Sequence, residues 1–235
     1  MRYLRFGLVA LTLFLLGLGQ ATARADQIII GVADPGQGNG FPFGYDNSFG
    51  PATRYQQVYN MNQFKSGPII ITEIDFYDKE QPGGHISDQT YTLSLSTTAK
   101  KVNGLDTVNF NANLGADNTQ VYKLFRNDAP VGGIVKFLLQ TAFTYDPAAG
   151  NLLLDVSRPA AGPFTDLSLD AMNGTSDDLT SRAHNYGDGF DHYGLVTGFQ
   201  FTPQGVPEPA TLTLFGIGIA GMAGYAWRKR KKTLA

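Results

Sequence analysis

The side chains able to hold a metal or move a proton are few in kind. The chain has no Cys, three His and twenty acids, and seventeen of those acids are Asp. Asp bonds its own backbone in turns, so the excess first signals many turns. His184 and His192 stand eight apart, with Asp188 and Asp191 between or beside them. Such a His/Asp set can ligate zinc or act as a general base. The spacing matches no metal motif, however, and a loop His beside Asp also reads as a surface pair. Asp177, Asp178, Asp188 and Asp191 lie near Asn173 and Asn185 in a polar loop over 173–194. Ca²⁺ takes six to eight oxygens, which a loop of this kind can supply. The EF-hand ligand order is missing, and a solvated acidic loop explains the same residues. Glu73 and Asp75 sit two apart on one strand face. Glycoside hydrolysis needs two placed carboxylates, yet an outward strand face accounts for this pair equally. There is no G-x-S-x-G elbow and no thiol nucleophile. The expectation is a non-enzymatic protein without a cofactor, with Ca²⁺ on the four Asp as the metal candidate.

Phe41, Phe43, Tyr45 and Phe49 stand among Gly and Pro in a second long loop, 34–51. Phe41, Phe43 and Tyr45 are candidate glycan contacts, because aromatic rings stack on sugar faces. The same rings can instead pin the loop onto the core, since each buries a large area. The single Trp, Trp227, lies far from them.

The elements that must position these residues read as β. Ile70, Thr72, Ile74 and Phe76 alternate with Ile71, Glu73, Asp75 and Tyr77. Tyr91, Leu93, Leu95 and Thr97 alternate with Thr92, Ser94 and Ser96, the pattern of a strand with one buried face. Leu152, Leu154 and Val156 share a parity, as do Leu195, Thr197, Phe199 and Phe201. Weaker strand candidates cover 27–33, 54–60, 107–111, 119–125 and 133–143. Asp146-Pro147-Ala148-Ala149-Gly150 has the composition of a turn and reads as a hairpin between its flanking apolar runs. Residues 26–205 are enough for one well-buried core. The fold class expected is all-β, a β-sandwich of jelly-roll type.

Charge divides the chain into three pieces. Residues 1–25 carry Arg2, Arg5 and Arg24 and no acid; residues 26–205 carry ten cations and nineteen acids, a net −9. Residues 206–235 carry five cations against Glu208, a net +4, and the three pieces return the overall −2. Such a balance excludes broad attraction to nucleic acid. The basic start, the apolar run 6–18 and Ala23-Arg24-Ala25 make a secretory signal peptide over 1–25. Cleavage at Ala23 or, preferably, after Ala25 leaves Asp26 near the new N-terminus. Residues 210–227 hold no charge and are long enough to span a bilayer as a helix. Trp227 closes that stretch, and Arg228, Lys229, Arg230, Lys231 and Lys232 follow at once. Cations beside a span stay cytoplasmic, so the acidic domain faces out. Gly216, Ala220 and Gly224 recur every fourth residue, a small-residue stripe suited to helix packing. Ahead of the span, Pro207 and Pro209 stiffen the chain around Glu208 and present one carboxylate on extended backbone.

Pro207-Glu208-Pro209, an apolar Gly-rich stretch and a terminal Arg/Lys cluster, in that order, resemble a PEP-CTERM sorting signal. The resemblance covers about the last thirty residues, 206–235. It implies export by the general secretion machinery, transient anchoring in the inner membrane, and recognition of Pro207, Glu208 and Pro209 by an exosortase-type membrane protease or transpeptidase. It also implies a Gram-negative-type envelope, a cell-surface or extracellular destination and a link to exopolysaccharide. The stretches 143–155 and 55–59 are similar to segments of secreted sandwich domains that carry this tail. The function expected is structural or adhesive, in a polysaccharide matrix. The alternatives are a lectin-like module, Ca²⁺-dependent or not, and a glycan-active enzyme on Glu73 and Asp75.

Overall fold

A computed structural model describes residues 25–33, 35–36, 38–44, 53–65, 67–159, 165–172, 178–185, 190–191, 193–204, 216 and 218–223. Two antiparallel sheets pack face to face. The first runs β1(Asp26–Ile30)–β12(Thr197–Pro203)–β4(Ile69–Tyr77)–β7(Ile134–Tyr145). The second runs β11(Phe190–Asp191)–β10(Thr180–His184)–β3(Arg54–Tyr59)–β8(Asn151–Ser157)–β5(Gln89–Thr98)–β6(Thr119–Arg126). A short pair, β2(Gly38–Asn39) and β9(Leu169–Asp170), makes a separate ribbon. The sandwich expected from alternation is therefore present. Ile74, Phe76, Phe137 and Phe199 of one sheet meet Tyr59, Tyr91, Leu93 and Leu154 of the other in one continuous apolar core.

Three expectations need correction. The parity assigned to β4 does not run the length of the strand. Ile69 and Ile71 face the core, then Ile74 and Phe76 do. Thr72 is an extra residue: Ile71 pairs with Phe201 and Glu73 with Gln200, so Thr72 has no opposite number on β12. This bulge flips the alternation. Second, the 146–150 turn is not a hairpin. β7 pairs with β4 whereas β8 pairs with β3 and β5, so the turn carries the chain from one sheet to the other. Asp146 Oδ1 accepts from Ala148 N at 2.9 Å, and Tyr145 OH donates to Gly150 O at 2.8 Å. Strand-like composition on both sides cannot tell a hairpin from such an arch. Third, 107–111 is not a strand; a 3-10 turn spans Phe110–Asn113.

That turn belongs to the 99–118 excursion between β5 and β6, which lies over one end of the six-stranded sheet. Leu105 and Phe110 bury against Val58, Leu153 and Ala183. Asn113 joins the layers: its Nδ2 donates to Gln56 Oε1 at 2.7 Å and to Asp106 O at 2.8 Å, while Oδ1 accepts from Asp106 N at 2.8 Å.

Residues 216 and 218–223 are α-helical, which includes Gly216 and Ala220, both exposed. Among the described residues no helix is long and apolar enough to cross a membrane. Ala23, Pro207, Glu208, Pro209, Gly224, Trp227, Arg228, Lys229, Arg230, Lys231 and Lys232 lie outside the described residues.

Candidate functional site

The aromatic platform does not form on Phe41 and Phe43. Phe43 is fully buried, with ring centroids 4.9 Å from Phe76, 5.3 Å from Tyr91 and 4.8 Å from Phe137. Phe41 is buried edge-on to Tyr55 and His184 at 5.7 and 6.1 Å. The rings are core anchors because a Gly/Pro-rich loop gains more by burying them than by presenting them to water. Tyr45 lies outside the described residues.

The polar stretch 173–194 also differs from expectation, since it contains β10 and β11. Thr180, Arg182 and His184 lie opposite Tyr59, Gln57 and Tyr55, and all three are buried. They enter the sandwich on a polar inner layer. There the Gln57 amide substitutes for a strand: its Nε2 donates to Leu195 O and its Oε1 accepts from Leu195 N, both at 2.9 Å. Tyr55 OH donates to the same Oε1. His184 is thus a core residue on a strand, which polar composition concealed. Asp191 pairs with Arg182 on β10, and Asp178 lies in the bend before that strand. Asp177, Asp188 and His192 lie outside the described residues. Among the described residues no group of three or more His, Asp or Glu is placed to hold a metal ion.

Glu73 and Asp75 do share the outer face of the four-stranded sheet. Across that face runs the row Ile29, Gly198, Asp75, Lys136, beside the row Gln27, Gln200, Glu73, Leu138. Lys136 Nζ donates to Glu73 Oε1 at 2.9 Å. Gln27 and Gln200 donate to Asp75 Oδ2 at 3.1 and 3.2 Å, and Asp75 is wholly buried beneath these side chains. Burial pushes the Asp75 carboxyl up to about 6; the neighbouring Glu73 carboxyl pushes the same way, and Gln200 pulls down. Gly198 makes room for this cover, since a Cβ there would come within 2.4 Å of Tyr77 OH. A second acid, Asp78, is raised chiefly by burial, with the nearby Asp170 adding to the effect.

A concave site lies on the opposite sheet. An open cleft of about 450 Å³ is lined by Thr90, Thr92, Lys123, Ser157, Arg158 and Pro159. Alternation builds it: Tyr91 and Leu93 point into the core, so Thr90 and Thr92 point out. Ser157 and Lys123 lie directly opposite Thr92 on its two neighbours, β8 and β6. Phe125, 59% exposed, lies opposite Thr90 on the same face. Arg158 is buried at the cleft's inner end, with Nη1 donating to Pro42 O at 3.0 Å and its guanidinium 5.0 Å from the Phe41 ring. The nearest outward carboxylate along β8, Asp155, is held by Arg54 through two hydrogen bonds of 2.9 and 2.8 Å. The outward Thr92, Ser94, Ser96 face is legible in the sequence, whereas the cleft is not. Its signal was the outward parity of β5; the strands that flank β5 come from distant parts of the chain.

Residues 205–231 match the PEP-CTERM protein-sorting motif. The chain therefore carries a PEP-CTERM sorting signal at its C-terminus behind a β-rich domain. This motif implies an exported protein processed by an exosortase and sorted to the membrane or cell surface. A search of curated proteins finds no match to the chain.

Proposed function

We propose that this protein is a non-catalytic structural or adhesive component of an extracellular polysaccharide matrix, delivered there by an exosortase. The observation that carries the reading is the sorting motif over 205–231. In this scheme residues 1–25 are removed on export, and 210–227 hold the chain in the inner membrane with 228–232 inside. Pro207, Glu208 and Pro209 are then the element that the exosortase reads. β1 begins at Asp26, the residue after the proposed cut, which supports a mature domain starting there. The sandwich is a jelly roll on this reading. Strands β1, β12, β4 and β7 face β3, β8, β5 and β6, an eight-stranded double-sheet arrangement, with β10 and β11 added at one edge.

A structural role is favoured over a glycan-active one by the state of Glu73 and Asp75. Both are tied to amide or ammonium neighbours, and neither lines the cleft. The test of the sorting role is Glu208→Ala, expressed in a host with a functional exosortase. The expected outcome is a chain retained in the membrane fraction with its tail intact by mass. Release of the variant at the normal mass refutes the role given to the motif.

A further inference from the structure

We propose that the cleft on the six-stranded sheet binds an acidic glycan, one bearing uronic-acid carboxylates. This deepens the matrix reading and rests on it for its setting. The row Ser157, Thr92, Lys123 crosses β8, β5 and β6. Neighbouring strands are about 4.8 Å apart, so the row places two hydroxyls and an ammonium at intervals comparable to a sugar ring. Thr90 and Phe125 form the next row. Hydroxyls that both donate and accept suit sugar hydroxyls. The exposed Phe125 ring and Pro159 offer apolar surface to a sugar face. The volume, about 450 Å³, is in the range of small-ligand sites.

The choice of an acidic glycan comes from charge. Residues 26–205 carry a net −9, yet among the described residues no carboxylate lines this cleft and two cations do. Lys123 Nζ makes no ion pair with any described residue. Lys136 and Arg126, on the adjoining β7 and β6, are committed to Glu73 and Asp128. A single ammonium with a hydroxyl row fits one carboxylate per sugar better than the closely spaced phosphates of a nucleic acid, which call for many cations. At physiological salt the repulsion of distant surface acids is screened over about 8 Å, so the local charge decides.

The test uses the full chain in a non-glycosidic, non-ionic detergent, titrated calorimetrically with oligogalacturonate, a neutral xylo-oligosaccharide of similar length, and a single-stranded oligonucleotide. The expected result is binding of oligogalacturonate alone, weakened by salt. Lys123→Ala should weaken it about tenfold or more, the worth of a charge-assisted hydrogen bond. Thr92→Tyr, which fills the cleft from an outward position, should abolish it with the thermal midpoint unchanged. Equal binding of the neutral sugar, tighter binding of the oligonucleotide, or affinity untouched by both variants overturns the proposal. No binding of oligogalacturonate also overturns it. In that case the matrix reading still stands or falls separately, on where the processed protein fractionates.

Discussion

Phe43 touches aromatic rings from both sheets, so its replacement reports directly on the role the fold assigns it. Phe43→Ala removes a fully buried ring and leaves a cavity between Phe76, Tyr91 and Phe137. The expected loss is about 3–5 kcal/mol, measured by denaturant unfolding; a loss near zero would return the ring to the surface. Asp75 offers a pH test. Its folded carboxyl titrates near 6, above its ordinary 3.8. A raised acid contributes stability that is full below pH 3.8 and is lost as pH rises to about 6. Asp75→Asn removes that loss: its amide oxygen can take the Gln27 and Gln200 donors, and its NH₂ can donate to Glu73. The variant should therefore gain thermal midpoint over the parent at pH 7, with the gain shrinking toward pH 4. A difference that is flat with pH contradicts the buried, titrating carboxyl.

The 99–118 excursion is the element whose placement decides which part of the six-stranded face is covered. One buried tie to the sheet is Asn113, wholly buried and bonded to Gln56 and to Asp106. Asn113→Ala strands the Gln56 amide oxygen in a buried layer and should cost about 1–3 kcal/mol. Amide exchange should rise over 99–118 while β5 and β8 stay protected, as local opening predicts. Exchange that rises across both strands together would mean the excursion is integral to the sheet. Elements also explain where reading by alternation fails. Thr92, Ser94 and Ser96 against Tyr91, Leu93 and Leu95 is legible because β5 is half-buried along most of its length. In β4 the Thr72 bulge breaks the rule, and in β10 the inward positions are Thr, Arg and His, which carry no hydrophobic signal at all.

At the scale of the whole molecule, charge and export act together. The acidic domain sits between a basic leader and a basic tail, and only the middle piece persists after processing on this reading. Replacing Arg228, Lys229, Arg230, Lys231 and Lys232 by Gln removes the proposed cytoplasmic stop. The expected outcome is a chain recovered outside the inner-membrane fraction with its tail unprocessed, read by intact mass. Normal processing would show that the span alone holds the chain. The zero Cys count has a molecular consequence too: an exported domain without staples depends on its apolar core. That core is continuous from Ile30 to Phe201.

Local chemistry was enough to place the sorting motif and the β class. A sorting motif is a linear feature read by another protein, so order and composition suffice. Alternation likewise made the sandwich legible, because a strand with one buried face writes its period into the sequence. What tertiary structure alone decided was adjacency. Ser157, Thr92 and Lys123 become neighbours through strand register, and Phe43 leaves its loop for the core because rings from both sheets close around it. Gln27, Gln200 and Lys136 gather over Glu73 and Asp75 because β12 and β7 flank β4 and β1 lies beyond β12. These contacts span distances in the chain that no periodic pattern records. The cleft, the buried carboxyl and the arch at 146–150 therefore emerge only once the strands are paired.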